Sequence, residues 1–205
     1  MTYSAAAAGA DLELLATVQE DGSTILLLGP REPGFWAAFS TSPEYTDGQP
    51  DPMDRWSKRV IGALAQRWGG EALFPSDGPP YPPFIAWALG SGQIWSSPVT
   101  LLVHAHQGLW TSFRGAVRVP GSYALPEVEN PCESCAGQPC RSACPVNALT
   151  AEGYDVAACK AFLDQPKGQD CRDQGCAVRR ACPVGQGYDR LAEQSRFHMR
   201  AFHPT

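Results

Sequence analysis

The sequence predicts an α+β chain in two parts: a mixed sheet with flanking helices, then a compact cysteine-rich module. Three observations carry this. Apolar stretches of strand length, closed by Gly and Pro, alternate with helical patterns through the first part. All eight cysteines fall between Cys132 and Cys182. A proline-bearing linker, Pro120 to Pro131, stands between the parts, and the boundary is placed so that residues 1–125 and 126–205 form the two domains. With 43% hydrophobic and 18% charged residues among 205, each part can support a packed core.

In chain order, STILLL (23–28) reads as a buried strand closed by Gly29-Pro30. PGFWAAF (33–39) reads as a short helix with Phe35, Trp36 and Phe39 toward the core. Asp51-Pro52 opens the clearest helix, with Asp51 as N-cap, Pro52 at the first position and Asp54 in the first turn. Met53, Trp56, Val60, Leu64 and Trp68 form its apolar stripe, and Gly69-Gly70 ends it. EALFPSDGPPYPP (71–83) is a short strand entering a stiff loop, because its prolines remove donors and fix φ. FIAWAL (84–89) is a brief helix. Pro98–Ala105 and Leu109–Val119 read as a hairpin turned by His106-Gln107-Gly108. Its return strand points Leu109, Phe113 and Val117 one way and Trp110, Arg114 and Arg118 the other, giving either a solvated face or a ligand site. Asp189–Phe202 reads as a closing helix.

The charge balance excludes some functions. Net charge is −5, with 13 acids and 7 bases in residues 1–130 and 8 acids and 9 bases beyond. Without a basic stripe, binding to a nucleic-acid backbone is not expected. No apolar run reaches the about 18 residues that span a bilayer. The N-terminal alanine run lacks a basic flank and turns acidic at once, so no secretory signal is expected. A cytoplasmic protein is the expectation, and clustered thiols in a reducing compartment favour metal over disulfides.

The cysteines carry the chemistry. CESCAGQPCRSACP (132–145) has the spacing C-x2-C-x4-C-x3-C-P; Cys159 stands alone; Cys171, Cys176 and Cys182-Pro183 follow. The bacterial dicluster ferredoxin run is C-x2-C-x2-C-x3-C-P, its fourth thiolate reaching to the other cluster. Eight cysteines match the ligand count of two 4Fe-4S clusters. A four-thiolate zinc site more often draws on two well-separated C-x2-C pairs, so Cys132, Cys135, Cys140 and Cys144 crowded together fit it poorly. Redox-sensing thiols would not need eight. Small neighbours such as Ser134, Ala136, Gly137, Ser142 and Ala143 let backbone N–H groups approach the sulphurs. Arg141, Lys160, Arg172, Arg179 and Arg180 are candidates to offset cluster charge.

On these motifs, residues 130–190 resemble the dicluster ferredoxin module of the epoxyqueuosine reductases. The resemblance implies that Cys132, Cys135, Cys140 and Cys182 hold one cluster and Cys144, Cys159, Cys171 and Cys176 the other. The gaps Cys135–Cys140, Cys171–Cys176 and Cys176–Cys182 depart from the family pattern. STILLLGPREPGFWAAF, DPMDRWSKRVIGAL and SPVTLLVHAHQGLWTSFRGAVRVPG resemble the cobalamin-binding half of those reductases and the cobalamin-processing protein of methylmalonic aciduria type C. That implies a nitroreductase-like first domain before a ferredoxin-like module, with His104, Gly108, Trp110 and Arg114 as counterparts of the family's hairpin pattern. Asp77 is the nearest match to the family's proton donor, and it also suits an Asx turn. The family's helical repeats for tRNA have no counterpart after these cysteines, so tRNA is not an expected substrate.

Two functions follow as expectations. In one, the protein is a corrinoid-dependent or corrinoid-processing oxidoreductase: single electrons pass from two 4Fe-4S clusters to a cobalamin held by the first domain. In the other, a ferredoxin-like electron-transfer protein serves a partner enzyme without a corrinoid. Both need an electron-donor protein, such as a flavodoxin, a ferredoxin or a reductase.

Overall fold

The computed structural model describes residues 2–204. The chain forms two compact units. The first comprises the chain up to Ile94 together with Ser112–Val128, the second Trp95–Thr111 together with the chain from Glu129 onward. The predicted 125/126 boundary lies near the later crossing. The stretch 95–111, expected with the sheet, belongs instead to the cysteine-bearing unit.

The first unit is built on a four-stranded sheet. Strands β1 (Leu12–Glu20) and β2 (Ser23–Pro30) are joined by Asp21-Gly22, both at positive φ (46° and 77°), the two-residue turn whose twist suits a hairpin. β3 (Glu71–Leu73) and β6 (Gly115–Pro120) complete the order β1-β2-β6-β3. Every pairing is antiparallel, so the expected mixed sheet is corrected to an antiparallel one. β1, with α1 (Tyr3–Ala8) before it, was not foreseen. Ile25, Leu26, Leu27 and Leu28 are all fully buried, so both faces of β2 are covered. Helix α4 (Pro52–Trp68) packs on β3 and β6, and α1 and α5 (Phe84–Gly90) on β1. Arg118 of β6 pairs with Glu71 of the adjacent β3 at 2.8 Å and reaches past β2 to Glu20 of β1 at 3.0 Å.

Helix α4 forms where the sequence places it, with two differences. Asp51 has left-handed backbone (φ 52°) and its side chain caps nothing. The stripe runs through Met53, Trp56, Ser57, Ile61, Leu64 and Ala65, with Val60 half-buried. α2 (Gly34–Ser40) buries Phe35, Trp36 and Phe39 as expected, and Phe35 meets Trp56 edge-on at 5.3 Å. α3 (Pro43–Thr46) carries Glu44, whose carboxylate pairs with Arg59 of α4.

The predicted hairpin does not form as one unit. β5 (Leu102–His104) pairs with β4 (Ile94–Ser96) in a separate two-stranded sheet, while β6 pairs with β2 and β3. Leu109, Trp110 and Thr111 are buried in succession, a pattern no two-faced strand can show. The rest of the second unit is short helices: α6 (Val156–Leu163), α7 (Gln169–Gln174), α8 (Ala177–Arg180), α9 (Pro183–Gln186) and α10 (Ala192–Phe202). The predicted closing helix is α10, beginning three residues later than expected. Two apolar clusters hold these pieces, one around Val99, Val103, Leu109, Leu149 and Val178, the other around Phe162 and Leu163. No helix among the described residues is long and apolar enough to cross a membrane.

The Glu44–Arg59 pair sets a pH expectation. The Arg59 hydrogen bond, opposed by burial, lowers the Glu44 carboxyl from 4.5 to about 2. A depressed folded-state value contributes stability above the unfolded value that is lost as pH falls from about 4.5 through about 2. Urea midpoints measured across that window should fall more steeply for the native chain than for Glu44→Gln.

Candidate metal centre

The second unit brings the eight cysteines together from loops and helix starts. A loop from Pro131 to Gly137 carries Cys132 and Cys135, and Asn130 accepts a hydrogen bond from the Cys132 N–H at 3.0 Å. A 3-10 turn, Pro139–Arg141, then buries Cys140. Cys144 precedes Pro145, which cannot continue the backbone pattern before it. Cys159 lies on α6 and Cys171 on α7; Cys176 and Cys182 immediately precede α8 and α9. Pro183 opens α9 at its first position, where a missing N–H costs nothing. All eight are free thiols.

Their mutual charges divide them four and four. Burial pushes the Cys132 thiol up to about 11, and the nearby thiols of Cys140, Cys182 and Cys135 add to this. Burial likewise raises Cys140, helped by Cys182 and Cys135. Burial raises Cys159, with Cys176, Cys144 and Cys171 as its thiol neighbours, while a hydrogen bond from Tyr154 opposes the rise. Cys171 is raised by burial, opposed by the backbone N–H of Ala177 and reinforced by Cys176. Cys132, Cys135, Cys140 and Cys182 therefore form one group, although Cys182 lies far along the chain from the others. Cys144, Cys159, Cys171 and Cys176 form the second.

Four thiols converging in partly buried surroundings resist ionisation until a cation joins them, because each new thiolate repels the rest. The first group borders a cavity of about 510 Å³, whose walls include Val103, Leu109 and Val184. The second holds a backbone donor in place: the Ala148 N–H lies 3.1 Å from Cys144 Sγ. Such N–H···S bonds favour a thiolate that carries charge on behalf of a metal group. Among the described residues, no three His, Cys, Asp or Glu side chains are gathered around a point that would hold a single metal ion.

A tight turn supports the first group. His104 and Gly108 exchange backbone hydrogen bonds at 3.1 and 2.9 Å. Gly108 sits at φ 55°, and a Cβ there would lie 2.5 Å from the Gly185 nitrogen and 2.8 Å from Cys182 Sγ. Glycine is required twice over, by backbone and by close approach. Trp110 is buried, and its ring fills the space against Gly175 and Gly185. The Arg190 guanidinium lies 5.3 Å from the Trp110 ring centre. Arg179 donates to the Leu109 carbonyl, fixing the same stretch. Sequence pattern alone did not reveal that residues 104–110 support the cysteine module. The signal available was the pair of glycines at 175 and 185 flanking Cys176 and Cys182.

The four residues expected at a corrinoid fall in different units, Asp77 and Arg114 in the first and His104 and Trp110 in the second. Asp77 closes a loop, accepting from the Phe74 N–H at 3.0 Å while Lys58 lies at 3.2 Å. His104 is buried, and its Nδ1 accepts from the N–H groups of His106 and Gln107, both at 3.3 Å. Arg114 is half-buried, and its Nε meets no acceptor. Burial pulls its guanidinium below the usual arginine range, and Asp54 offsets part of that.

No protein-family model, curated protein or solved structure matches the chain.

Gly108→Ala should lower the urea midpoint. The left-handed backbone alone costs an L-residue about 1–2 kcal/mol, and the contact with Cys182 adds to it. Thiol-reagent kinetics should show Cys182 labelled faster in this variant, while Cys159, in the other group, keeps its native rate.

Proposed function

We propose that the chain is an iron–sulphur electron-transfer protein, each group of four thiolates holding a 4Fe-4S cluster. The observation that carries this reading is the four-and-four division of eight free thiols. Cys132, Cys135, Cys140 and Cys182 would hold one cluster, and Cys144, Cys159, Cys171 and Cys176 the other. Each cluster, when bound, supplies a site that accepts and returns one electron.

The chain's own residues do the rest. The apolar walls beside the first group, Val103, Leu109 and Val184, lower the local dielectric. Ala148 and Ala177 aim N–H groups at Cys144 and Cys171, stabilising added negative charge on those sulphurs. Gly108, Gly175 and Gly185 let turn, tryptophan and module approach closely, so the ligand loops keep their spacing. The donor would be a one-electron protein such as a flavodoxin, a ferredoxin or a reductase.

The resemblance to the epoxyqueuosine reductases adds a cobalamin as the acceptor. The packing of Trp110 and the turn-closing role of His104 favour the plainer carrier. In both readings the protein is an oxidoreductase component, and the corrinoid is what separates them.

Anaerobic reconstitution with iron and sulphide should load about eight irons per chain, and Cys140→Ser should retain about half. Retention of zinc with no iron uptake would overturn the reading. Titrating the loaded protein with hydroxocobalamin during reduction distinguishes the two acceptors. Unchanged corrinoid absorbance leaves a carrier; a saturable shift to a bound, reduced cobalt species identifies a corrinoid reductase.

A further inference from the structure

The last helix, α10, is fastened to three of the segments that deliver the second thiol group. At its start, Ser195 is pressed against the turn before Cys176: a Cβ at Gly175, which sits at φ 86°, would lie 2.9 Å from Ser195 Cβ. Beside it, Arg196 donates to the Asp173 carboxylate at 3.1 Å, two residues beyond Cys171 on α7. Farther along, Met199 and Phe202 pack against the apolar cluster of Phe162, Leu163 and Cys171, which Cys159 also joins. The Phe202 ring stacks on Tyr154 at 6.2 Å and 18° between planes, and the Lys160 ammonium of α6 lies 5.2 Å from its centre. Just past the helix, His203 Nε2 lies 2.7 Å from Oδ1 of Asp164, the residue that ends α6.

The two helices that carry Cys159 and Cys171 cannot hold their own spacing. α6 has eight residues and α7 six, joined through a 3-10 turn at Pro166–Gly168. Helices shorter than about 12 residues are marginal in water and take their stability from what they pack on. α10, with eleven residues, reaches both. Arg196 ties it to α7, while Phe202 and His203 tie its far end to α6 and to the segment just before α6.

Resting on the proposed function above, we infer that α10 is a splint for the second cluster alone, with Arg196, Phe202 and His203 as its positioning residues. They ligate nothing. They set the separation of Cys159, Cys171 and Cys176 by holding α6, α7 and the Gly175 turn along one rod. The first group takes its thiols from residues 132–140 and from Cys182, segments that none of these fastenings reaches. The second cluster therefore assembles only with α10 docked, and the chain has a one-cluster state when the end of α10 is released.

The test uses the full chain, native and as Phe202→Ala and Phe202→Tyr, with iodoacetamide labelling of each cysteine read by peptide mass spectrometry. In the metal-free protein, Phe202→Ala should label Cys159 and Cys171 about tenfold faster, the scale of one lost aromatic packing pair, and leave Cys132 and Cys135 at their native rates. After anaerobic loading, Phe202→Ala should hold about four irons per chain where the native protein holds about eight. Labelling should then reach Cys144, Cys159, Cys171 and Cys176 and spare the other four. Phe202→Tyr keeps the ring, whose edge is half-exposed, and should restore both readings. Native labelling rates at Cys159 and Cys171 in Phe202→Ala, or iron lost equally from both groups, would overturn the inference and leave the proposed function standing. If the native chain takes up no iron, the proposed function falls, and the metal-free labelling rates alone decide whether α10 holds those thiols.

Discussion

Like charge gathered at close quarters is the constraint from which the second unit follows. Eight thiols come together in two groups, and burial with mutual repulsion keeps Cys132, Cys140, Cys159 and Cys171 above the ordinary thiol range. Such a set is costly to ionise alone, and a bound cationic group removes the cost. The cysteine-bearing helices of the unit are short, α6 with eight residues and α7 with six. α8 and α9 have four residues each and begin directly after Cys176 and Cys182. Apolar burial is divided between two small clusters in place of one large core.

Small residues and one large ring hold this arrangement in register. Gly108 brings the turn within reach of Cys182 and Gly185, while Gly175 and Gly185 leave room for the Trp110 ring. Arg179 joins the two supports, bonding the Leu109 carbonyl and acting on Cys176. The ligand spacing thus depends on residues 104–110 as much as on the loops that carry the cysteines. This explains why that stretch packs with the cysteines, and why His104 is committed to closing its own turn.

Much of the first unit was legible because its signals are local. The β2 run, the aromatic helix α2 and the long helix α4 are fixed by apolar spacing and end signals within a few residues. β1 was missed although Asp21-Gly22, between two apolar runs, is a strong two-residue hairpin signal. The false hairpin of residues 98–119 has the opposite cause. Both halves have strand-like composition, but β5 pairs backward with the nearby β4, and β6 pairs with β2 and β3, partners too distant in sequence for a local window to see. The ligand candidates were legible from spacing alone. How they divide does not follow from spacing, because Cys182 joins Cys132, Cys135 and Cys140 only through the tertiary fold; that division was expected through the resemblance to the epoxyqueuosine reductases.

Iron-edge anomalous diffraction from anaerobically grown crystals tests the central claim most directly. The account predicts two separate iron peaks, one enclosed by Cys132, Cys135, Cys140 and Cys182, the other by Cys144, Cys159, Cys171 and Cys176. A single peak, peaks ligated across the two groups, or zinc-edge signal alone would contradict it.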